Sequence, residues 1–490
     1  MEGRKIHHEE EALLEKCSKP GSGRPKLPCE AQAREGTSAW RNVLRVVSCS
    51  ALLYLYYVLH TTLAGPSLLK VFFSAPLADP YLEEMPVAPR RWWTCDPIIA
   101  STTHQVSFNI STDSATPKRW QLLDESIPEA RETFHGSITI EKGYLRQGSD
   151  VVVNVLVRST DETNIGNVVL YSSDSGLVMK YKSSSNSDLC TEVEVVVSLR
   201  AESKYSLDEL NIQTDILDIF LHPVTNWDIK EFNAHSSYGK LDMEPGAHHD
   251  EPMARNVSIS SAAGGISGWF VPDQHLHIRN DYGDTTAILA STPKTDGKTW
   301  VGPQGINISS ISGHIRVGTN SGDWLPKAYT HRTQIRTESG KILARVPHGA
   351  RTEISSTSGR VVAILQPYGV DCENADNYIS TMSQSGGVAV YLFDPDAESL
   401  RGYCNPLLNT VSEHEVGEGS LVLTYPRTWY GEIEGHIIHG QLAFDGSELE
   451  CAEGGRGSVK ARRGAKGDSL LNARVGVGAL DIRIGLEETP

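Results

Sequence analysis

The sequence predicts a mainly β protein, a β-solenoid or β-helix-like outer domain preceded by one N-terminal transmembrane helix. Three observations predict it. A single long apolar run, Val46–Ala64, stands near the N-terminus. The C-terminal half is rich in Ser, Thr, Gly, Val and Ile, which form strands and turns. A degenerate motif of polar approach, Ser-Gly and alternating apolar strand recurs between residues 308 and 392.

The first 42 residues are polar, with Gly21–Pro25 and a Glu9–Glu11 run, and read as a disordered cytosolic tail. Residues 43–65 are expected to form the membrane helix. Residues 46–64 lack Asp, Glu, Lys and Arg, and at 1.5 Å per residue they would cover roughly 28 Å, close to a bilayer's hydrocarbon core. Tyr54, Tyr56, Tyr57 and His60 lower its hydropathy, and Gly65-Pro66 ends it. A cleaved signal peptide would start near residue 1 rather than behind a polar tail, so the run reads as a signal-anchor. Lys26, Arg34, Arg41 and Arg45 precede it and only Lys70 follows closely. The positive-inside rule then keeps the N-terminus cytosolic and sends the C-terminal domain to an extracellular or lumenal space.

Three sequons fall on that side, at Asn109, Asn256 and Asn307, and make the chain a candidate glycoprotein. Five cysteines lie there too: Cys95, Cys190, Cys372, Cys404 and Cys451. Two disulfides and one thiol can form, and the pairing is open; Cys372 with Cys404 is the first expectation because both flank one strand segment. Cys49, at the cytosolic end of the span, is a candidate acylation site or a plain buried thiol.

Residues 66–136 read as a Pro-rich stalk or connector, broken by Pro66, Pro76, Pro80, Pro86, Pro89 and Pro97. Trp92 and Trp93 would face headgroups or dock on the next domain. Residues 137–490 read as one β-solenoid-like domain. Its clearest copies are ISSISGHIRV (308–317), IRTESGKILARV (335–346), ISSTSGRVVAIL (354–365) and ISTMSQSGGVAVYL (379–392). Aligned on Gly313, Gly340, Gly359 and Gly386, they place Ile315, Ile342, Val361 and Val388 two residues on, and Val317, Ala344, Ala363 and Val390 four on. Alternation of period two turns one face inward. The glycines are expected to supply a positive φ at a corner, with the Ser before each bonding to nearby backbone. Spacings of 27, 19 and 27 residues suit solenoid coils with variable loops. Weaker echoes occur around Gly176, Gly239, Gly268, Gly283, Gly417, Gly435 and Gly476. Ordinary hairpins in a β-sandwich are the competing reading.

The repeated I-x-S/T-x-S-G-x-I/V-x-V/A pattern resembles the adhesin-like domains of unassigned function found in bacteria and fungi. The layout of span plus outer domain looks like single-pass fungal membrane proteins that carry such a domain. The resemblance covers roughly residues 137–485 and is strongest at 300–395. It implies a solenoid fold and a surface or adhesive role, with no catalytic residues to carry over. The Gly-rich, basic stretch 454–463 departs from the array and reads as a loop.

The charge balance narrows the partners. The chain holds 45 Lys and Arg against 61 Asp and Glu, a net −16. Residues 1–63 hold nine basic and seven acidic side chains, so the excess falls on the remainder. A surface of that net sign repels a backbone with a phosphate on every nucleotide, which argues against nucleic acid as the partner. Motifs for catalysis are lacking. His248, His249, Asp250 and Glu251 adjoin one another after Pro245-Gly246, but neighbours in a loop rarely converge on one ion. The same holds for His7–Glu11. Gly297-Lys298-Thr299 imitates a phosphate loop, but Thr292 stands where its first Gly belongs. Asp281, Asp284 and Asp323 are the carboxylates a membrane-tethered carbohydrate-active enzyme on a β-helix would use. The expected function is therefore non-enzymatic, with no cofactor and no metal: adhesion to, or binding of, cell-wall glycan or protein ligands. A tethered glycan-cleaving enzyme and a self-assembling scaffold are the alternatives. Compartment and oligomeric state are left open.

Overall fold

The computed structural model describes residues 102–111, 118–125, 134–144, 146–182, 190–201, 205–222, 227–244, 254–271, 273–290, 303–319, 331–370, 377–395, 400, 403–464 and 469–485. All of them belong to a compact unit, Pro86–Pro490. The expected tail and membrane helix lie outside the described residues, as do Trp92, Trp93, Cys95, Cys372, the residues 248–251 and Asp323. Among the described residues, no helix is long and apolar enough to cross a membrane.

The unit is mainly β. Its described strands open with β1 (Thr102–Ile110), β2 (Arg119–Glu125), β3 (Phe134–Lys142), β4 (Val151–Ser159), β5 (Val168–Ser173), β6 (Gly176–Tyr181) and β7 (Thr191–Leu199). One four-residue helix, α1 (Glu162–Ile165), follows β4. Strands then come in pairs: β8 (Tyr205–Thr214) with β9 (Asp218–Leu221), β10 (Trp227–Ser236) with β11 (Leu241–Met243), and β12 (Ala254–Ser261) with β13 (Ile266–Phe270). Next are β14 (His275–Asn280) with β15 (Thr285–Leu289), β16 (Gly305–Ser310) with β17 (Ile315–Thr319), and β18 (Arg332–Thr337) with β19 (Ile342–His348). The last pairs are β20 (Arg351–Ser356) with β21 (Val361–Pro367) and β22 (Asn377–Ser385) with β23 (Val388–Leu392).

Each pair is one coil of a solenoid. From β8 to β22 every approach strand lies parallel to the approach strand of the next coil. From β9 to β23 the exit strands do the same on a second face of one continuous sheet. This parallel stacking decides against the antiparallel sandwich. The sequence alignment on glycine is also the spatial register, since Ile315, Ile342, Val361 and Val388 are successive Cα partners. Along the approach strands Ile259, Ile278, Ile308, Ile335 and Ile354 form a buried ladder. Each such side chain contributes roughly 1.5–3 kcal/mol by leaving water.

A parallel stack exposes an unpaired edge at each end, and both ends are closed by strands out of chain order. At the N-terminal end, β2 lies on β8 and β6 on β2, while β3 lies on β9 and β7 on β3. Antiparallel β4 then covers β7, β1 covers β4, and β5 covers β6. The solenoid therefore begins before the repeat is legible, because β1 and β2 come from the segment expected to be a stalk. At the C-terminal end come three strands of 16 residues, β24 (Thr410–Tyr425), β25 (Gly431–Gly446) and β28 (Ser469–Ile484). The first half of β24 pairs with β22 and its second half with β23. The last strand, β28, inserts between β24 and β25.

The basic stretch expected as a loop is part of the cap. It forms the end of β26 (Leu449–Gly455) and all of β27 (Ser458–Arg463), an antiparallel hairpin on the edge of β25. Val459 and Ala461 alternate inward, and Arg463 is buried. Its guanidinium donates to the carbonyls of Ser447 (3.0 Å), Arg427 (2.7 Å) and Trp429 (2.9 Å).

Candidate functional site

The four glycines singled out in the sequence stand at corners, but for two different reasons. A Cβ on Gly313, Gly340 or Gly359 would lie 1.8–1.9 Å from the carbonyl oxygen of the corner glycine one coil earlier. These three do not adopt a positive φ; the near contact of stacked backbones is what demands glycine. Gly386 does have a positive φ, 152°, as do Gly419 (140°), Gly478 (142°) and Gly440 (144°) in the long strands. There the corner becomes a kink in a continuous strand, and the expected rationale applies.

At Gly313, Gly340 and Gly359 the residue that secures the corner sits three positions before the glycine, not one before it as expected. The amides of Gly313, Gly340 and Gly359 donate to Ser310 (2.7 Å), Thr337 (3.1 Å) and Ser356 (2.8 Å). Thr337, Ser356 and Ser383 donate in turn to the carbonyls of Gly313, Gly340 and Gly359 in the preceding coil. The spacing S/T-x-x-G was legible in the sequence, but nothing in it distinguished that hydroxyl from the Ser beside the glycine. This ladder is buried and structural.

Chemistry for a ligand lies on the outer face of the approach sheet, where alternate side chains form columns across the coils. Gly305 stands in one column between His275 and Arg332, which are its Cα partners. The His275 ring packs against it, 3.1 Å from where a Cβ would stand, and beside it opens a groove of about 430 Å³ lined by His275, His277, Asn307, Arg332, Gln334, Arg351 and Glu353, among others. Arg332 and Arg351 face each other in direct register. Arg351 is held by Glu353 through Nε–H to Oε1 (2.7 Å) and its charge lies 4.4 Å over the ring of Tyr378. Glu353 also accepts from Gln334 (2.7 Å) and Arg336 (3.2 Å). Burial pushes the Glu353 carboxyl upward, yet the hydrogen bonds from Arg351, Gln334 and Arg336 outweigh it and hold the group below its ordinary range. His277 is lowered by burial and by Arg279, so it is neutral at neutral pH. Arg332 is exposed, and among the described residues no carboxylate pairs with it.

The remaining candidates are dispersed. Asn109 is exposed on β1 and accepts from Ser149 at 3.1 Å; Asn256 is half-buried on β12, and Asn307 half-buried inside the groove. Asp281 pairs with Arg279 (2.8 Å), and Asp284 accepts the amide of His314 (2.9 Å), so each carboxylate is committed to a local partner. Cys190 and Cys404 are both disulfide-bonded. Val370 bridges Cys404 in antiparallel fashion, two residues before Cys372. Among the described residues no three His, Cys, Asp or Glu side chains gather in a way that could hold a metal.

No protein-family model matches the sequence, and no curated protein is significantly similar to it. Three solved structures align with the fold. One is a Parabacteroides distasonis protein whose name proposes lipid binding, with 11% identity, TM-score 0.28, 66% of this chain and 94% of that chain. Another is a Clostridium sporogenes protein whose name proposes cell adhesion, with 9% identity, TM-score 0.18, 78% of this chain and 100% of that one. The third, from Parabacteroides merdae, has a name that proposes an adhesin, with 10% identity, TM-score 0.19, and coverage of 59% and 92%. At such scores the shared geometry is too slight to carry an argument about ligand or role.

Proposed function

We propose that this chain is a non-enzymatic, membrane-anchored surface or lumenal protein whose solenoid binds an extended glycan or protein ligand on its outer face. The observation that carries the reading is the approach sheet itself. Coils stacked about 4.8 Å apart present polar side chains in straight columns, a surface suited to a polymer that repeats weak contacts. The groove at Gly305 lies open on that surface. The apolar run 46–64 supports anchoring, the flanking basic residues support a cytosolic N-terminus, and exposed Asn109 supports an outer domain that carries glycans.

The test is co-sedimentation of the detergent-solubilised full chain with insoluble cell-wall polysaccharides, with the supernatant assayed for released sugars. Retention without release is expected. Sugar release would sink the non-enzymatic reading, and failure to bind any polysaccharide would leave the outer face without the glycan role.

One observation favours a second reading, assembly through the solenoid end. The hairpin β26–β27 covers only the first half of β25. Along the second half Leu442 and Phe444 are half-buried, and Ile438 nearby is 64% exposed. A sedimentation coefficient that rises with concentration is the sign of that assembly; a strictly monomeric chain would dispose of it.

A further inference from the structure

In the described coils before the groove, from β8 to β15, the arginines of the approach face are matched to carboxylates one to one. Arg255 bonds Asp228 at 2.7 Å, and Arg279 bonds Asp281 at 2.8 Å. At the Gly305 groove the matching fails. Arg336 and Arg351 share the single carboxylate of Glu353, and Arg332 has none among the described residues. Like charges in direct register across neighbouring strands destabilise a sheet, and Arg332 and Arg351 are such a pair. The Arg351 side chain is nevertheless fixed in place, by Glu353 on one side and the Tyr378 ring on the other. A fixed cation beside an unmatched one, over an open groove, is the arrangement that receives an anion. Two guanidinium forks suit the planar oxygens of a carboxylate or the oxygens of a sulfate. The amides of Asn307 and Gln334 and the ring of His275 line the same groove and offer hydrogen bonds to hydroxyls around such a group.

We propose that the Gly305 groove is a subsite for the carboxylate or sulfate of an acidic polysaccharide, with Arg332 supplying the unmatched charge and Arg351 the pre-positioned one. The inference rests on the reading of the outer face as a binding surface and names the ligand class of that surface.

The test titrates the full chain in detergent micelles with polygalacturonate, dextran sulfate and neutral dextran. Arg332→Gln removes the unmatched charge, and Arg255→Gln removes one matched charge from the same face. Gly305→Leu pushes a side chain past the His275 ring into the groove and serves as an independent variant. Arg332→Gln and Gly305→Leu are expected to weaken acidic-polymer binding by about tenfold, while Arg255→Gln leaves it within about twofold. Preference for polygalacturonate or for dextran sulfate would identify the anion. Equal losses in Arg332→Gln and Arg255→Gln would overturn the subsite. Tight binding of dextran that ignores all three variants would overturn it too, while sparing the surface reading. Binding of no polymer would overturn both.

Discussion

A Cβ placed on Gly359 would stand 1.8 Å from the carbonyl oxygen of Gly340, a separation no side chain can occupy. The two glycines are the corners of adjacent coils, and the coils can stack at normal strand spacing only because neither has a side chain there. Gly359→Ala must therefore push coils apart, and its cost falls in the exceptional range, about 4 kcal/mol or more. Gly318 has open space around its Cβ position, so Gly318→Ala should shift stability by about 0.5 kcal/mol or less. Urea denaturation of the two variants side by side checks this; equal midpoints would refute the stacking argument.

The corner hydroxyls predict a second contrast. Ser356 accepts from the Gly359 amide at 2.8 Å and donates to the Gly340 carbonyl at 3.0 Å, all of it buried. Ser356→Ala leaves a donor and an acceptor without partners and should cost about 1–3 kcal/mol. Ser358 makes one exposed bond, to the Glu338 carbonyl at 3.2 Å, and Ser358→Ala should be nearly silent. Hydrogen exchange at the amide of residue 359 reads the difference directly, rising in the first variant and not in the second.

Arg463 predicts a local failure. Its guanidinium serves carbonyls of Ser447, Arg427 and Trp429 and lies 5.1 Å from the centre of the Tyr430 ring. A lysine ammonium lacks the planar fork that reaches several carbonyls at once. Arg463→Lys and Arg463→Met should both loosen the C-terminal cap, by about 3 kcal/mol. Protease sensitivity is expected at residues 426–430 while the middle coils stay protected. Uniform loss across the solenoid would mean that the cap and the coils unfold as one.

Acid should weaken the protein. His331, His348 and His414 are buried, and burial holds them down to about 4, 3 and 3. His348 shares its bond with Thr352 (2.9 Å), and His414 lies between Thr381 (2.7 Å) and Tyr425 (2.7 Å). Unfolded histidines titrate near 6.5. Their folded values are lower, so their contribution is whole above about pH 6.5 and is lost as pH falls from there towards about 4. The slope is on the order of 1 kcal/mol per pH unit for each group. Asp124 acts in the opposite sense. Burial lifts it to about 7, against a hydrogen bond from Thr214, so its stabilisation is present at low pH and is lost as pH rises through about 7. Three groups against one give a net loss on acidification. A denaturation midpoint that stayed flat between pH 6.5 and 4.5 would contradict this.

Much of the solenoid was legible because its core obeys a local rule. Ile308, Ile335 and Ile354 stand five residues before their glycines, and the spatial ladder follows that alignment without adjustment. The groove was not legible. Arg332, Arg351 and Glu353 looked like ordinary outward polar residues of a strand, and Gly305 fell before a motif rather than in it. Their meaning comes from register between coils 19 to 30 residues apart in sequence, which no single coil encodes.

What the sequence alone determined is what period-two patterning and composition can carry: the β class, the repeating coil and its inward face. The caps were decided only in three dimensions. Placing β6–β7 outside β2–β3, and β28 between β24 and β25, satisfies edges that a parallel stack leaves open, and edge satisfaction is a property of the whole array. The corner glycines lie between the two cases. Their positions are written in the sequence, but the carbonyl that each must avoid belongs to the coil before it.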